Sequence, residues 1–349
     1  MTDTVTIALD AMGGDRAPEV VVKGANIARD RYPNVRFLLI GDEVRLARLL
    51  KRKRRLRSRT TIHHTTEAVG NDARPSAALR TGRKSSMWLA IQAVRDGEAQ
   101  GVVSAGNTGA LMAMAKLMLR TLPGIDRPAI ASFIPTLRGE SVVLDLGANV
   151  ECDANNLVQF AVMGAIFART VQGLDRPTVG LLNVGSEDMK GHEEIKVAAG
   201  ILRGGEFPFE FHGFVEGDDI TGGTVDVVVS DGFSGNIALK TAEGTARLVS
   251  QFLREAFKSS LSARLGYVFA RRALKKLRLR VDPRSYNGAM FVGLNGIAVK
   301  SHGGTDAFGF ANAIGVAVDM ALGGFNDRIK DELARLTPVR VLEPQAASL

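Results

Sequence analysis

A strand-loop-helix phrase near the start of the chain holds residues well suited to bind an anion. An apolar run that ends in Asp10 passes through Gly13 and Gly14 to Asp15, and then enters a helical pattern whose first turn carries Pro18. Glycines let the backbone approach a ligand closely, and the N–H groups at a helix N-terminus bind anions. The phrase therefore predicts a phosphate site.

Five further apolar runs each lead into a loop rich in Gly, Ser, Asn and Asp. The carboxyl ends of parallel strands lie at one edge of a sheet, so we expect all these loops to converge on one crevice that holds the active site. For any one loop, helix capping explains the same residue types. His302 fits either a substrate-orienting role or a structural hydrogen bond. The candidate substrate-binding and phosphate-binding residues are Asp10, Gly13, Gly14, Asp15, Ser104, Asn107, Thr108, Asp145, Asn149, Asn183, Asp231, Ser234, His302, Gly303 and Gly304.

Lys190 is a further candidate for contact with an oxyanion. It follows Asn183 at a predicted strand end and lies near the start of a helical pattern that runs through Glu193 and Lys196. A cation early in a helix is opposed by the helix dipole, so an oxyanion partner would explain its position. A lysine that faces solvent is the alternative.

The sequence lacks the motifs of several competing reaction classes. It contains no G-x-G-x-x-G for a dinucleotide, no G-x-x-x-x-G-K-[ST] for a nucleoside triphosphate and no G-x-S-x-G nucleophile elbow. Cys152 is the sole cysteine, so an internal disulfide is excluded. A lone cysteine is more often a small buried hydrophobe than a carrier of an acyl group. The five histidines show no metal-binding spacing. We predict no metal and no cofactor.

Runs rich in Val, Ile and Leu alternate with amphipathic segments along the chain. The predicted strands are 5–10, 36–41, 60–66, 101–105, 129–135, 141–147, 178–184, 209–216, 225–231 and 291–301, and the clearest helices are 18–30, 86–96, 155–170 and 306–322. This alternation predicts an α/β fold with a mostly parallel sheet. We expect one domain over 1–337, with a possible division into lobes 1–138 plus 284–337 and 139–283, followed by a loosely held tail over 338–349.

The net charge of +8 is concentrated in one segment of the chain. Residues 251–280 contain nine Lys and Arg against one acid, and the rest of the chain is balanced. The basic run 51–59 indicates a solvated helix end or loop, so we do not expect nucleic acid as a partner. The sequence shows neither a signal-peptide pattern nor an apolar run of about 18 residues, and a cytoplasmic location is expected.

The same basic segment carries apolar residues at helical spacing. This pattern predicts a pair of basic amphipathic helices, broken near Gly266, that lies on an anionic membrane surface. A packed helical hairpin or a dimer contact with a solvated basic face is the alternative. The expected membrane-contacting residues are Leu253, Phe257, Leu261, Leu265, Val268 and Phe269.

Six phrases together resemble those of one known family. They are ALDAMGGD (8–15), SAGNTGA (104–110), LDLGAN (144–149), NVGSE with the following MKG (183–191), SDGFSGN (230–236) and SHGGTDAFGF (301–310). In order and spacing they resemble the bacterial phosphate acyltransferases of phospholipid synthesis, the PlsX family, over 7–325. The basic run 51–59 and the tail depart from the family pattern. The resemblance implies an αβα Rossmann-like fold similar to isocitrate and isopropylmalate dehydrogenases, a homodimer, and catalytic roles for Lys190 and Asn236.

The implied reaction is attack of inorganic phosphate on the thioester of acyl-acyl-carrier protein, which gives acyl phosphate. Phosphate is already an anionic nucleophile and a thiol is a good leaving group, so no covalent enzyme intermediate is needed. The basic amphipathic segment adds an anionic membrane surface as an expected partner, and the amphiphilic product points to a downstream glycerol-3-phosphate acyltransferase that consumes it. The alternatives are a phosphotransacetylase that uses acyl-CoA, an NAD-dependent decarboxylating dehydrogenase of related fold, and a basic scaffold without activity.

Overall fold

The computed structural model describes residues 4–280, 284 and 286–336. The predicted loose tail, 338–349, lies outside the described residues. The strands are β1 (Val5–Asp10), β2 (Val35–Gly41), β3 (Thr60–His64), β4 (Gly101–Ser104), β5 (Ala129–Pro135), β6 (Glu140–Leu144), β7 (Thr178–Leu182), β8 (Glu210–Val215), β9 (Val227–Val229), β10 (Ala289–Val292) and β11 (Ile297–Lys300).

Helices flank these strands in the order that the sequence alternation predicts. They are α1 (Glu19–Arg31), α2 (Glu43–Leu50), α3 (Arg54–Arg57), α4 (Pro75–Thr81), α5 (Ser86–Arg95), α6 (Thr108–Leu119), α7 (Ala154–Gln172), α8 (Glu193–Gly204), α9 (Gly217–Gly222), α10 (Gly232–Lys258), α11 (Leu261–Arg280), α12 (Ala307–Leu322) and α13 (Phe325–Leu336). No single described helix is long and apolar enough to cross a membrane, and α12 and α13 meet that test only jointly, across a bend of 50°.

The strands join in one sheet with the order β3-β2-β1-β4-β11-β10-β5-β6-β9-β7-β8. Strands β3, β2, β1, β4 and β11 are mutually parallel, and so are β6, β9, β7 and β8. Between these two halves, β10 and β5 pair antiparallel with each other and with their outer neighbours. The two halves therefore run in opposite directions. Their division into separate lobes stays a prediction.

Side chains alternate between two apolar layers, as expected for a sheet covered on both faces. In β1, Ile7 and Leu9 pack with the core layer that includes Phe310 of α12, while Ala8 packs with the layer that includes Ile91 of α5. This arrangement is an αβα sandwich, and it confirms the predicted fold class.

Two differences from the sequence prediction change where the chain turns. The expected single strand 291–301 is a hairpin of β10 and β11, because Gly293 adopts a positive φ of 88° and turns the chain between them. The helical break expected near Gly266 lies at Ser259 and Ser260 instead. The Ser260 hydroxyl accepts a hydrogen bond from the Ala263 N–H at 3.1 Å and so caps α11. Gly266 stays inside that helix.

Candidate functional site

The six predicted loops form two groups, because the two halves of the sheet run in opposite directions. The first group follows β1, β4 and β11, and the second group follows β6, β9 and β7. Within each half the strands are parallel, so the loops of one group share one sheet edge. The expectation that all six share a single edge is wrong, since the antiparallel strands β10 and β5 reverse the chain direction between the halves.

Asp10 is the buried centre of the first loop group. Its carboxylate accepts hydrogen bonds of 2.6 Å from the hydroxyls of Ser86 and Ser104. The Ser104 hydroxyl in turn accepts a hydrogen bond from the Gly106 N–H at 3.0 Å. Burial raises the pKa of Asp10 although both serine hydroxyls favour its charged form. Asp10 therefore holds β1 and β4 together and exposes almost none of its surface.

The glycines of the first group are required by close backbone contacts. A Cβ at Gly13 would lie 2.3 Å from an Asp10 carboxylate oxygen, and Gly14 has a φ of +100°. The Asp15 N–H donates to the carbonyl of Gly303 at 3.1 Å, so the loops after β1 and β11 interlock. Any side chain at Gly13 or Gly14 would disturb this junction.

Other members of the first group have structural partners. Asn107 caps α6 by accepting a hydrogen bond from the Ala110 N–H at 2.9 Å, which supports the capping interpretation for this loop. Thr108, the first residue of that helix, is exposed. The His302 ring accepts a hydrogen bond from the Gly304 N–H at 3.2 Å, and the ring is exposed beside the group.

Sequence reasoning missed two cations of the first group. Arg16 donates through its guanidinium to the carbonyls of Gly304 and Thr305, at 2.9 and 2.7 Å. Lys300 ends β11, where burial lowers the pKa of its ammonium to about 8 although the charges of Asp10 and Asp15 act in the opposite direction. The available signal for Lys300 was a single charged residue that ends an apolar strand.

Asp145 is the structural centre of the second loop group. Its carboxylate accepts hydrogen bonds from the backbone N–H groups of Ile130, Gly147, Ala148 and Asn149, at 2.7 to 3.2 Å. The Asn149 amide also donates to it at 2.9 Å. Burial raises the pKa of Asp145 in spite of these donors. Asp145 therefore shapes the loop after β6 and is turned away from solvent.

Asn236 lies just after the first turn of α10, within the second group. Asp231 caps this helix and accepts hydrogen bonds of 2.8 Å from both the N–H and the hydroxyl of Ser234. A Cβ at Gly147 would lie 3.3 Å from the Asn236 amide nitrogen, so only a glycine leaves that amide clear. Among the described residues, the Asn236 side chain has no hydrogen-bond partner. Its amide is free to donate to a ligand.

Lys190 lies in the turn before α8, which begins at Glu193. Lys190 therefore lies near the start of a helix, as expected, but the positive φ of Gly191, 89°, separates it from the first turn. Its ammonium is 2.8 Å from the Glu187 carboxylate, and its side chain is 50% exposed. The hydrogen bond with Glu187 raises the pKa of Lys190 above its ordinary value, so the ammonium is charged at neutral pH with or without this partner.

Asn183 stabilises the turn that carries Lys190. Its amide nitrogen donates to the carbonyl of Lys190 at 3.1 Å. Its buried amide oxygen has no hydrogen-bond partner among the described residues. The strands β9 and β7 are neighbours and parallel, so the loops that carry Asn236 and Lys190 share one sheet edge.

Cys152 lies beside the second group but is a poor nucleophile. Burial, together with the charges of Asp145 and Asp231, raises the pKa of its thiol to about 12. The residue is half-buried against the apolar core, as expected for a small hydrophobe. Among the described residues there is also no cluster of three or more His, Cys, Asp or Glu that could hold a metal ion.

The helices α10 and α11 form a hairpin beside a groove of about 2040 Å³. Leu261, Leu265, Val268 and Phe269 are exposed and do not line the groove. Leu253 is 40% exposed and lines the groove. Phe257 also lines the groove, and its ring contacts Tyr267 with a centroid distance of 5.6 Å.

The chain matches the model of a known family and several curated proteins. Residues 5–328 match the family described as fatty acid synthesis protein. A phosphate acyltransferase from Paramagnetospirillum magneticum is 63% identical over 348 residues, which cover 100% of this chain and 99% of that protein. A phosphate acyltransferase from Rhodospirillum centenum is 68% identical over 336 residues, which cover 96% of this chain and 95% of that protein.

Solved structures support the fold. A phosphotransacetylase from Streptococcus pyogenes superposes with a TM-score of 0.60 at 19% identity, covering 92% of this chain and 95% of that one. The EutD phosphotransacetylase from Staphylococcus aureus gives a TM-score of 0.58 at 18% identity, covering 91% and 94%. The matching sequence length and the high identity to curated relatives decide the family. This chain belongs to the fatty acid synthesis protein family, that of the phosphate acyltransferases, and is an acyltransferase that acts on phosphate.

Proposed function

We propose that the protein transfers a fatty acyl group from acyl-acyl-carrier protein to inorganic phosphate, and so supplies acyl phosphate for phosphatidic acid synthesis. The observation that carries this proposal is that a free amide, Asn236, and a charged ammonium, Lys190, follow the carboxyl ends of two neighbouring parallel strands, β9 and β7. Two donors of this kind match a reaction in which negative charge develops on a carbonyl oxygen.

The reaction needs no nucleophile from the protein. A phosphate oxygen attacks the thioester carbonyl, a C–O bond forms, the C–S bond breaks, and the thiolate leaves and takes a proton from solvent. The raised pKa of Cys152 argues against an acyl-cysteine intermediate. Near the N-terminus of α10 the Ser234 N–H and hydroxyl already bond to Asp231, so the Asn236 amide is the donor that this helix offers to the substrates.

Lys190 and Asn236 would stabilise the oxyanion of the tetrahedral intermediate. Lys190 uses one donor on Glu187 and retains N–H groups for an oxygen of the substrate. The loss of one such donor typically costs about a hundredfold to a thousandfold in turnover.

The test measures acyl phosphate, trapped with hydroxylamine, from acyl-acyl-carrier protein and from acyl-CoA. We expect the carrier protein to be the better donor, and Lys190→Met and Asn236→Ala each to lower kcat at least about tenfold. Lys240→Met is the matched control, because Lys240 is 56% exposed and pairs with Glu243 at 3.0 Å, much as Lys190 pairs with Glu187.

Three outcomes would contradict this proposal. A preference for acyl-CoA would favour a phosphotransacetylase, and reduction of a nicotinamide cofactor would favour a dehydrogenase. Unchanged turnover in both site variants, with circular dichroism like that of the wild type, would remove Lys190 and Asn236 from the mechanism.

The hairpin supports a peripheral position on the cytoplasmic membrane surface. Leu261 and Phe269 are 78% and 86% exposed, and basic residues surround them. Each cation near an anionic surface contributes up to about 1 kcal/mol, which gives reversible, salt-sensitive binding. A long acyl phosphate is an amphiphile, so release at a membrane would deliver it to a glycerol-3-phosphate acyltransferase.

A second copy of the chain is the proposed partner of α10. Phe233, Ile237, Leu248 and Phe252 form a stripe along this helix, and each is between 52% and 60% exposed. Such a stripe of large apolar side chains is costly to leave in water. A homodimer that buries the stripe would remove this cost.

A further inference from the structure

The groove beside the α10–α11 hairpin has no part in the proposed chemistry. It encloses about 2040 Å³ between the hairpin, α9 and the end of β5. The rings of Phe257 and Tyr267, one from each helix of the hairpin, both line it and contact each other. All four elements contribute apolar side chains, which include Ile134, Ile220, Val249, Leu253 and Leu274. A concave, mostly apolar surface of this kind is suited to bind the chain of an organic ligand.

The lining residues divide into an uncharged half and a basic half. In the described part of the chain, the half formed by β5, α9 and the stretch of α10 from Ala238 to Ala246 contains only apolar residues, glycine and threonines. The other half lies between the later turns of α10 and α11, and each helix contributes three cations to it. These cations are Arg247, Arg254, Lys258, Arg264, Arg271 and Lys275. This division matches a ligand with one apolar end and one anionic end.

The cations of the basic half have no acidic partner on the protein. Among the described residues, no Asp or Glu lines the groove, and none of the six cations forms an ion pair. Glu243 and Glu255 of α10 bond instead to Lys240 and Gln251, which lie outside the groove lining. A concave site whose charges all have one sign attracts a ligand of the opposite sign.

The length of the uncharged half fits one acyl chain. From Ala238 to Ala246 the helix rises by about 12 Å. The hydrocarbon core of a bilayer is about 30 Å thick and holds two layers of chains, so a single chain occupies roughly 15 Å. A chain that fills the uncharged half therefore ends where the cations begin, at Arg247.

A second copy of the chain fits this groove less well than an amphiphile does. A two-fold contact through the groove would bring the same residues of two copies together, so cations would face cations. The apolar stripe proposed for the dimer, which runs from Phe233 to Phe252, does not line the groove. The proposed dimer contact and the groove therefore use different residues.

We propose that the groove binds an anionic amphiphile with a single long chain, with the chain in the uncharged half and the head group in the basic half. The identity of the natural ligand rests on the proposed function, since it would be the long-chain acyl phosphate that the reaction forms. Leu261 and Phe269, the exposed residues proposed for membrane contact, do not line the groove. The site is therefore distinct from that contact.

The experiment is a calorimetric titration of the protein with dodecyl phosphate, a stable alkyl phosphate, below the concentration at which it forms micelles. Butyl phosphate tests the contribution of the chain, and dodecyltrimethylammonium tests that of the charge. Each buried methylene raises affinity roughly fourfold, so dodecyl phosphate should bind the wild type at least about a hundredfold more tightly than butyl phosphate. The cationic amphiphile should bind at least about tenfold more weakly than dodecyl phosphate.

Two pairs of variants locate the site. Arg271 lines the groove and its neighbour Arg272 does not, although both are exposed. Ala242 also lines the groove, whereas Ala273 of α11 does not, so a phenylalanine at 242 alone would fill it. Arg271→Glu and Ala242→Phe should each weaken dodecyl phosphate binding at least about tenfold, and Arg272→Glu and Ala273→Phe should match the wild type within about twofold. Circular dichroism checks that each variant is folded.

Several results would overturn the proposal. They are no binding of dodecyl phosphate by the wild type, equal affinity for the two chain lengths, and equal weakening by Arg271→Glu and Arg272→Glu. Analytical ultracentrifugation of the same samples tests the competing occupant. A dimer that Arg271→Glu weakens, together with no amphiphile bound by the wild type, would assign the groove to a second copy.

The titration also separates this proposal from the proposed function, because it requires no turnover. Binding with the expected dependence on chain, charge and variant would support the groove site even if the wild type made no acyl phosphate. An active enzyme whose groove binds no amphiphile would refute the groove site alone.

Discussion

Replacing Lys300 by methionine should make the folded protein more stable at neutral pH. Methionine keeps an unbranched side chain of similar length but carries no charge. Burial lowers the pKa of Lys300 from 10.5 to about 8, so the folded protein holds this ammonium less readily than the unfolded chain does. The charge of Lys300 therefore costs folding free energy whenever both states are protonated.

The size and pH range of this cost follow from the two pKa values. At about 1.4 kcal/mol for each pKa unit, the change from 10.5 to about 8 corresponds to roughly 3 kcal/mol. Above pH 10.5 Lys300 is neutral in both the folded and the unfolded protein, so the cost vanishes. The cost grows as the pH falls from 10.5 to about 8 and is complete below about pH 8. The variant also loses the hydrogen bond to Ser301, which lowers its stability by about 1 kcal/mol. Lys300→Met should therefore be more stable than the wild type by roughly 2 kcal/mol at pH 7.

Calorimetry at pH 7, 8, 9 and 10 measures this difference in stability between Lys300→Met and the wild type. The control is Lys116→Met, which removes an exposed lysine near the end of α6. For 349 residues, 2 kcal/mol corresponds to a Tm increase of roughly 3 °C at pH 7. The increase should shrink steadily between pH 8 and 10 and should be absent from the control. A variant less stable than the wild type at pH 7, or a difference independent of pH, would refute the reasoning.

Three other features give direct predictions. In the folded protein at pH 8 the Cys152 thiol should react with iodoacetamide much more slowly than in denaturant, because burial raises its pKa to about 12. A fast reaction in the folded protein would contradict the buried position. The wild type should float with anionic vesicles at low salt, and a Leu261→Glu, Phe269→Glu variant should not; equal flotation of both, or no flotation of the wild type, would exclude the hairpin as the membrane contact. Analytical ultracentrifugation should show a dimer, and the double variant Ile237→Asp, Leu248→Asp should dissociate more readily than the wild type. A variant dimer as stable as that of the wild type would place the interface elsewhere.

Local chemistry in the sequence was sufficient to place most elements. The strand ending at Asp10, the helix beginning after Asp306 and the helix capped by Asp153 all follow from apolar spacing and capping residues. The turn at Gly293 was missed, although Asn295 and Gly296 follow it, because the apolar residues on both sides made the pattern look like one long strand. Apolar composition does not distinguish a long strand from a tight hairpin.

The arrangement of the site depended on long-range pairing, which the sequence does not contain. The residue types at Asp145 and Ser104 predicted loops at strand ends, but only the antiparallel pairing of β10 and β5 decides that these loops lie at opposite edges. Phe257 was expected to face a membrane, yet helical spacing alone cannot show that it contacts Tyr267. Lys300 escaped notice because its burial comes from neighbouring strands and loops that are distant in sequence.

The length of α10 separates two electrostatic environments. From Asn236 to Lys258 the helix rises by about 1.5 Å per residue, which places the tip of the hairpin roughly 33 Å from the Asn236 amide. At physiological ionic strength the Debye length is about 8 Å, so the separation is roughly four Debye lengths. A charged surface at the tip is therefore screened before its potential reaches Asn236. Binding to such a surface and turnover of a water-soluble donor should respond to salt independently.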